Sequence, residues 1–349
     1  MREPLIFDGH NDVLLRLHQR NITAGKDGFQ GSGGRQIDLE KARTGGFGGG
    51  FFAIYVPGEQ GLSHDMDEMM AASYDLPLPP QVGWDVASKV ALSQASILFN
   101  LERDGALKIC RSTQDIRDCL SSGMMAAVMH MEGAEAIDPD FHMLDVLYQA
   151  GLRSLGPVWS RPTIFGHGVP FRFPSTPDTG PGLTEDGSRL IRKCNDLGVM
   201  IDLSHLNEAG FWDVARISTK PLVATHSNAH ALCTHSRNLT DRQLHAICDT
   251  DGMVGLNFAV AFLRSDGRMD EDTPIETMMD HLDHLITQLG EDRVGLGSDF
   301  DGATVPVEIK TIAGLPSLRS AMQKRGYDDA LIKKLCHENW LRVLDLTWT

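Results

Sequence analysis

"IFDGHNDVLLRL", residues 6–17, ends what reads as a buried strand on a burst of polar groups. Leu5, Ile6 and Phe7 run directly into Asp8, His10, Asn11 and Asp12, with Gly9 among them. In an extended strand, residues i and i+2 share a face, so His10 and Asp12 can project together from its end. An imidazole nitrogen and a carboxylate oxygen are donors that a zinc-like ion accepts in a catalytic site. The same residues also fit a plainer reading, with His10 packed in the core and Asp12 capping the helix that follows. This stretch alone leaves both open.

Outward from it, the chain repeats one pattern. Eight strand candidates appear: LIFDGH (5–10), GGFFAIYV (49–56), MAAVMHME (125–132), LRSLGPVW (152–159), VMIDLSH (199–205), PLVATHS (221–227), MVGLNFA (253–259) and RVGLGSDF (293–300). Helix-like segments separate most of them. One is 85–104, with apolar residues at three- and four-residue spacing. Another is 184–198, with Thr184 as N-cap and Gly198 as C-cap. A third is 273–290, with Pro274 in the first turn and Gly290 at the end. Alternation of this kind in 349 residues predicts a TIM-type (β/α)8 barrel, with residues 1–349 forming one domain. A two-domain α/β chain is the rival, but no convincing linker appears. The Pro/Gly-rich stretch 165–182 reads as a long loop near the barrel mouth. GGFGGG (45–50) lacks a following Lys-Ser/Thr and precedes a strand, so it is a weak phosphate-loop signal.

Chemistry in such a barrel is assembled at the C-terminal ends of the strands. Five of the eight candidates stop there on His, Asp or Glu: His10 and Asp12; His130 and Glu132; Asp202 and His205; His226; and Asp299 and Asp301. Carboxylates gathered at one mouth repel one another unless cations neutralise them, so the convergence points to a metal site. Three histidines with Asp12 and Glu132 exceed what one four-coordinate zinc with an open position requires. A carboxylate such as Glu132 can bridge two ions, so two is the better count. The other histidines (His18, His64, His142, His167, His230, His235, His245, His281, His284 and His337) read as surface or packing residues, His167 lying on the mouth loop.

Composition narrows the partners. A formal net charge of −15 argues against nucleic acid and anionic membranes, and 42% hydrophobic residues suffice for a large core. Six scattered cysteines with no CxxC pair suit reduced thiols. No apolar segment of secretory or membrane-spanning length and no lipid-anchor tail stands out, which leads us to expect a cytoplasmic protein.

Taken together, "DGHND" (8–12), "MEGAEAI" (131–137), "IDLSH" (201–205), "THSNAHAL" (225–232), "SRN" (236–238) and "GSDFDG" (297–302) resemble the membrane dipeptidase (renal dipeptidase) family of amidohydrolase-like binuclear zinc peptidases. Order and spacing agree, with 21 residues from His205 to His226 and 11 from His226 to Arg237. The resemblance implies two Zn2+ per chain, bridged by Glu132 and a hydroxide. His10 and Asp12 would hold one ion, His205 and His226 the other. It further implies that Arg237 pairs with the substrate's α-carboxylate, that Asp299 shuttles a proton to the leaving amine, and that the enzyme is a homodimer. The implied substrate is a small dipeptide with a free C-terminal carboxylate, L-Xaa-D-Xaa included.

One position departs from the family. Well-known members carry a histidine after strand four that helps stabilise the oxyanion, and here Trp159 stands in its place. An indole donates one hydrogen bond but cannot become a cation. Losing an oxyanion donor costs about 10²–10³ in turnover unless another group, such as Arg161 or His167, replaces it. Two alternatives therefore stand beside the dipeptidase: an amidohydrolase acting on another amide such as an N-acyl amino acid, and a metal-binding homologue with lapsed catalysis.

Overall fold

The computed structural model describes residues 3–21, 28–31, 35–58 and 68–348; His64 lies outside them. Eight parallel strands carry an α/β fold, each overlapping one of the predicted runs. They are β1 (Ile6–Asn11), β2 (Phe47–Tyr55), β3 (Ala126–Glu132), β4 (Leu152–Gly156), β5 (Met200–Ile201), β6 (Val223–Ala224), β7 (Met253–Asn257) and β8 (Val294–Gly297). Strands β1 to β5 lie in chain order in one sheet, which a short strand at Lys108–Ile109 joins through β3. Strands β6 to β8 form a second sheet. Single parallel bridges stand between the two sheets on both sides, pairing Asn11 with Phe300 and Asp202 with Val223. β1, β2 and β3 are buried at every position, and β2 accordingly reads as an unbroken run of apolar residues and glycines rather than an alternating one.

The intervening helices bury their apolar faces against the sheets. The helix Glu185–Leu197 begins at Thr184, whose side chain accepts from the Gly187 amide, and stops at Gly198 in the left-handed conformation. The helix Ile275–Leu289 ends before Gly290 as predicted, while Pro274 sits at the cap, one residue outside the first turn. The last helix, Asn339–Thr347, delivers the fully buried Trp340 against Phe7, Phe51, Met200, Val223 and Met253. This contact explains Gly9: a Cβ there would lie 2.5 Å from the indole and 2.4 Å from the Thr225 carbonyl oxygen.

β5 and β6 are much shorter than the runs 199–205 and 221–227 predict. A side chain takes over part of the ladder there: Asp202 Oδ1 accepts from the amides of Ser204 (3.0 Å) and Thr225 (2.8 Å), while the Asp202 and Leu203 amides still donate to the Leu155 and Val223 carbonyl oxygens. The chain is then free to turn, and His205 adopts a left-handed φ of 69°. Among the described residues no helix is long and apolar enough to cross a membrane. All six cysteines are free thiols.

Candidate metal centre and active site

Three imidazoles from three strand ends surround one carboxylate oxygen. Glu132 Oε1, at the end of β3, lies 3.0 Å from His205 Nε2, 3.5 Å from His226 Nε2 and 3.6 Å from His10 Nε2. The Nε2 atoms of His205 and His226 are themselves 3.0 Å apart. Asp12 Oδ2 stands 3.4 Å from His10 Nε2, and the Asp12 side chain makes no capping bond to the helix Val13–Gln19. Of the two readings left open by the opening stretch, the shared-face pair is the one observed. Asp299 joins His10 and Asp12 in a second cluster of donor atoms within 4.8 Å of one another. Like His205, it is held at a left-handed φ, here 60°. Both belong to the strained backbone positions that gather at functional sites.

Burial and mutual charge set the electrostatics of this cluster. Burial pushes the Glu132 carboxyl up to about 7, against the pull of His10. Burial also raises Asp299, with Asp12 adding to it. The same desolvation holds His205 and His226 well below the ordinary imidazole range, and Arg237 and His10 push in that direction too. At His10, burial acts downward but is outweighed by Glu132 and Asp12, so this imidazole is raised. Both its ring nitrogens are buried without a hydrogen-bond partner among the described residues. Converging imidazole nitrogens and carboxylates form the N/O donor set of a zinc-type ion, so the residues present fit a metal.

Arg237 lies beside the cluster, where Nη2 donates to the His226 carbonyl oxygen (3.1 Å) and Nη1 to Ser227 Oγ (3.3 Å). Its Nε is buried and unpaired among the described residues, and its guanidinium sits 5.5 Å from the Phe262 ring centroid. Burial lowers Arg237 to about 10, with Asp299, Asp202 and Glu132 opposing. Asn257, at the end of β7, donates to Asp299 Oδ2 at 3.1 Å while its own Oδ1 accepts from the Ala259 amide. Nothing in the strand-end count singled out Asn257, because it is neither acidic nor a histidine. Its signal was the same as theirs: a polar residue closing an apolar run.

A cavity opens over the cluster. Asp12, Glu132, His205 and Asp299 form its polar floor, and bulky side chains including Tyr55, Trp159, Phe171 and Phe262 wall it. Trp159 packs by its ring against Tyr55 (centroids 5.2 Å), Phe171 (5.7 Å) and His205 (5.7 Å). Phe171, from the 165–182 stretch, contributes to this wall. Neither candidate replacement for the family's histidine reaches the floor. Arg161 is buried behind the wall, forked on Glu135 (2.9 and 2.6 Å) and donating to the Val56 carbonyl oxygen. His167 is half-buried and does not line the cavity.

The family model described as membrane dipeptidase (peptidase family M19) matches residues 1–347. A metallo peptidase from Rhodobacter sphaeroides, crystallised with a phosphinate mimic of the dipeptide L-Ala-D-Ala, is 54% identical. It superposes with a TM-score of 0.95 and covers 99% of this chain and 100% of its own. The crystal structure of a dipeptidase AC of the same peptidase family is 53% identical, with a TM-score of 0.93 and 99% of each chain covered. An uncharacterised protein encoded in the pqqA 5′ region of Klebsiella pneumoniae is 52% identical over 244 residues, 70% of this chain and 90% of that protein.

Proposed function

This chain belongs to the membrane dipeptidase family, peptidase family M19, and is a metallo-dipeptidase; we propose that it works as a binuclear zinc enzyme cleaving small dipeptides with a free C-terminal carboxylate, L-Xaa-D-Xaa among them. The observation that carries this reading is Glu132 Oε1 within 3.0–3.6 Å of three imidazole nitrogens, a geometry that suits a bridging carboxylate. His10 and Asp12 would hold one zinc, and His205 and His226 the other. When bound, such a pair supplies Lewis-acid polarisation of the scissile carbonyl and acidifies the water that attacks it. We read the two sheets and their bridges as one closed (β/α)8 barrel in a single domain, its mouth carrying the site.

The chain's own residues divide the remaining work. Asp299, a carboxyl raised by burial at the cavity floor, takes the proton of the attacking water and hands it to the leaving amine. Arg237 is a planar, positively charged fork suited to a carboxylate. The apolar walls, Trp159 included, exclude water and limit side-chain size. The L-Ala-D-Ala mimic held by the Rhodobacter sphaeroides relative supports a substrate of this class.

Turnover of a panel of L-L and L-D dipeptides, by protein whose zinc content has been measured, tests the proposal. Cleavage by protein with two zinc ions per chain is the expected result. Failure on every dipeptide, with cleavage of N-acyl amino acids, would move the assignment to another amide. Failure on both would point to lapsed catalysis.

A further inference from the structure

Behind His226 stands a chain of two residues, Asp202 and Thr225, that do not line the cavity. We infer that Asp202, acting through the Thr225 hydroxyl, locks the tautomer of His226, keeping its proton on Nδ1 and leaving Nε2 bare toward the site. This rests on the proposed role of His226 as a metal ligand.

The proton positions follow from counting donors. Asp202 Oδ1 accepts two backbone amides, those of Ser204 at 3.0 Å and Thr225 at 2.8 Å, which fix the carboxylate's orientation. Its Oδ2 takes the Thr225 hydroxyl proton at 2.5 Å. A hydroxyl has one proton to give. The 2.8 Å contact between Thr225 Oγ1 and His226 Nδ1 therefore runs the other way, from an Nδ1–H to the oxygen. A neutral imidazole with its proton on Nδ1 has its lone pair on Nε2. That is the atom 3.0 Å from His205 Nε2 and 3.5 Å from Glu132 Oε1. The carboxylate cannot act on the ring directly, since Asp202 Oδ2 lies 4.0 Å from His226 Nδ1. His130 Nε2, at 3.6 Å from the same oxygen, is too far to compete for it.

A specific consequence follows for Asp202→Asn. The two backbone amides keep the remaining carbonyl oxygen at Oδ1, so the new Nδ2 points at Thr225 Oγ1 and donates to it. The hydroxyl must then turn its proton onto His226 Nδ1, which puts the ring's own proton on Nε2 and closes that nitrogen to metal. A near-isosteric change at a residue that never touches the ion thus inverts the ligand.

The test is a titration of metal-free protein with zinc against a chromophoric chelator, alongside 15N NMR of the histidine tautomers in the same metal-free samples. Asp202→Asn and Thr225→Val should each weaken zinc binding at one site by about 10–100-fold. Thr225→Ser, which retains the hydroxyl, should stay near wild type. The double variant should bind no more weakly than Thr225→Val, because without the hydroxyl Asp202 has no route to the ring. The His226 proton should move from Nδ1 to Nε2 in Asp202→Asn. Wild-type affinity and tautomer in folded Asp202→Asn, with zinc lost in His226→Ala, would overturn the lock alone. Full zinc retention in His226→Ala would overturn the ligand assignment beneath it.

Discussion

Asn257 Nδ2 lies 3.1 Å from Asp299 Oδ2, and the Ala259 amide, donating to Asn257 Oδ1 at 2.6 Å, fixes which end of the side chain faces the carboxylate. The amide is thus held as a donor and orients Asp299 beside the candidate ligands His10 and Asp12. Removing a hydrogen bond to a charged group costs about 1.5–3 kcal/mol. Asn257→Ala should therefore lower kcat by about ten- to a hundredfold, leaving zinc content unchanged. Steady-state kinetics with metal analysis checks this, and Asn257→Asp should not restore activity, since a carboxylate cannot donate.

Glu132 is the shared partner of His10, His205 and His226. Glu132→Ala should strip metal from both positions and abolish turnover. Elemental analysis after dialysis decides it: a variant that keeps two tightly held ions removes Glu132 from the bridging role.

Arg237→Ala should raise KM for dipeptides with a free carboxylate by about ten- to a hundredfold, the worth of hydrogen bonds to a charged group. It should have little effect on their C-terminal amides. Arg237→Lys should not rescue it, because an ammonium lacks the planar fork. Equal losses on acids and amides would place the residue in support of the site rather than in contact with substrate.

Glu135 and Arg161 form an ion pair at 2.6 Å whose side chains are 0% and 1% exposed. Truncating one member of a buried pair strands the other charge, at a cost of about 3–5 kcal/mol. Glu135→Ala should show this loss in chemical denaturation. Because the Arg161 guanidinium also lies 5.6 Å from the Tyr55 ring and 5.7 Å from that of Trp159, the variant should loosen the cavity wall and raise KM as well.

His281 supports the segment that follows His226. Its Nδ1 accepts from the Ala229 amide (3.2 Å) and its Nε2 donates to the Leu263 carbonyl oxygen (2.9 Å), so the Ala229 bond needs the neutral ring. Burial lowers its pKa from 6.5 to about 4. With the folded value below the unfolded one, its contribution is present above 6.5 and is lost as pH falls toward 4. Between pH 7 and 5, the wild type should lose about 2 kcal/mol more stability than His281→Gln. Denaturation midpoints at the two pH values supply the comparison, and parallel losses would show that His281 carries none of it.

Much of this molecule is local information. The apolar run before Asp8, the Thr184 and Gly198 caps and the eight strand–helix alternations follow from short-range sterics and hydrophobic periodicity, so the sequence by itself determined the parallel α/β framework. It also determined where the candidate ligands fall, because the apolar runs give way to polar residues at the ends where His10, Glu132, His205 and Asp299 stand. What only the tertiary structure decided is how side chains from different strands divide their hydrogen bonds. The truncation of β5 and β6 depends on Asp202 reaching the Thr225 amide, 23 residues away. The positioning of Asp299 depends on Asn257, 42 residues away. The engagement of Arg161 depends on Glu135 and Val56 meeting behind Trp159. Periodicity along the chain holds no record of such pairings, because donors and acceptors are matched across space only once the strands lie side by side.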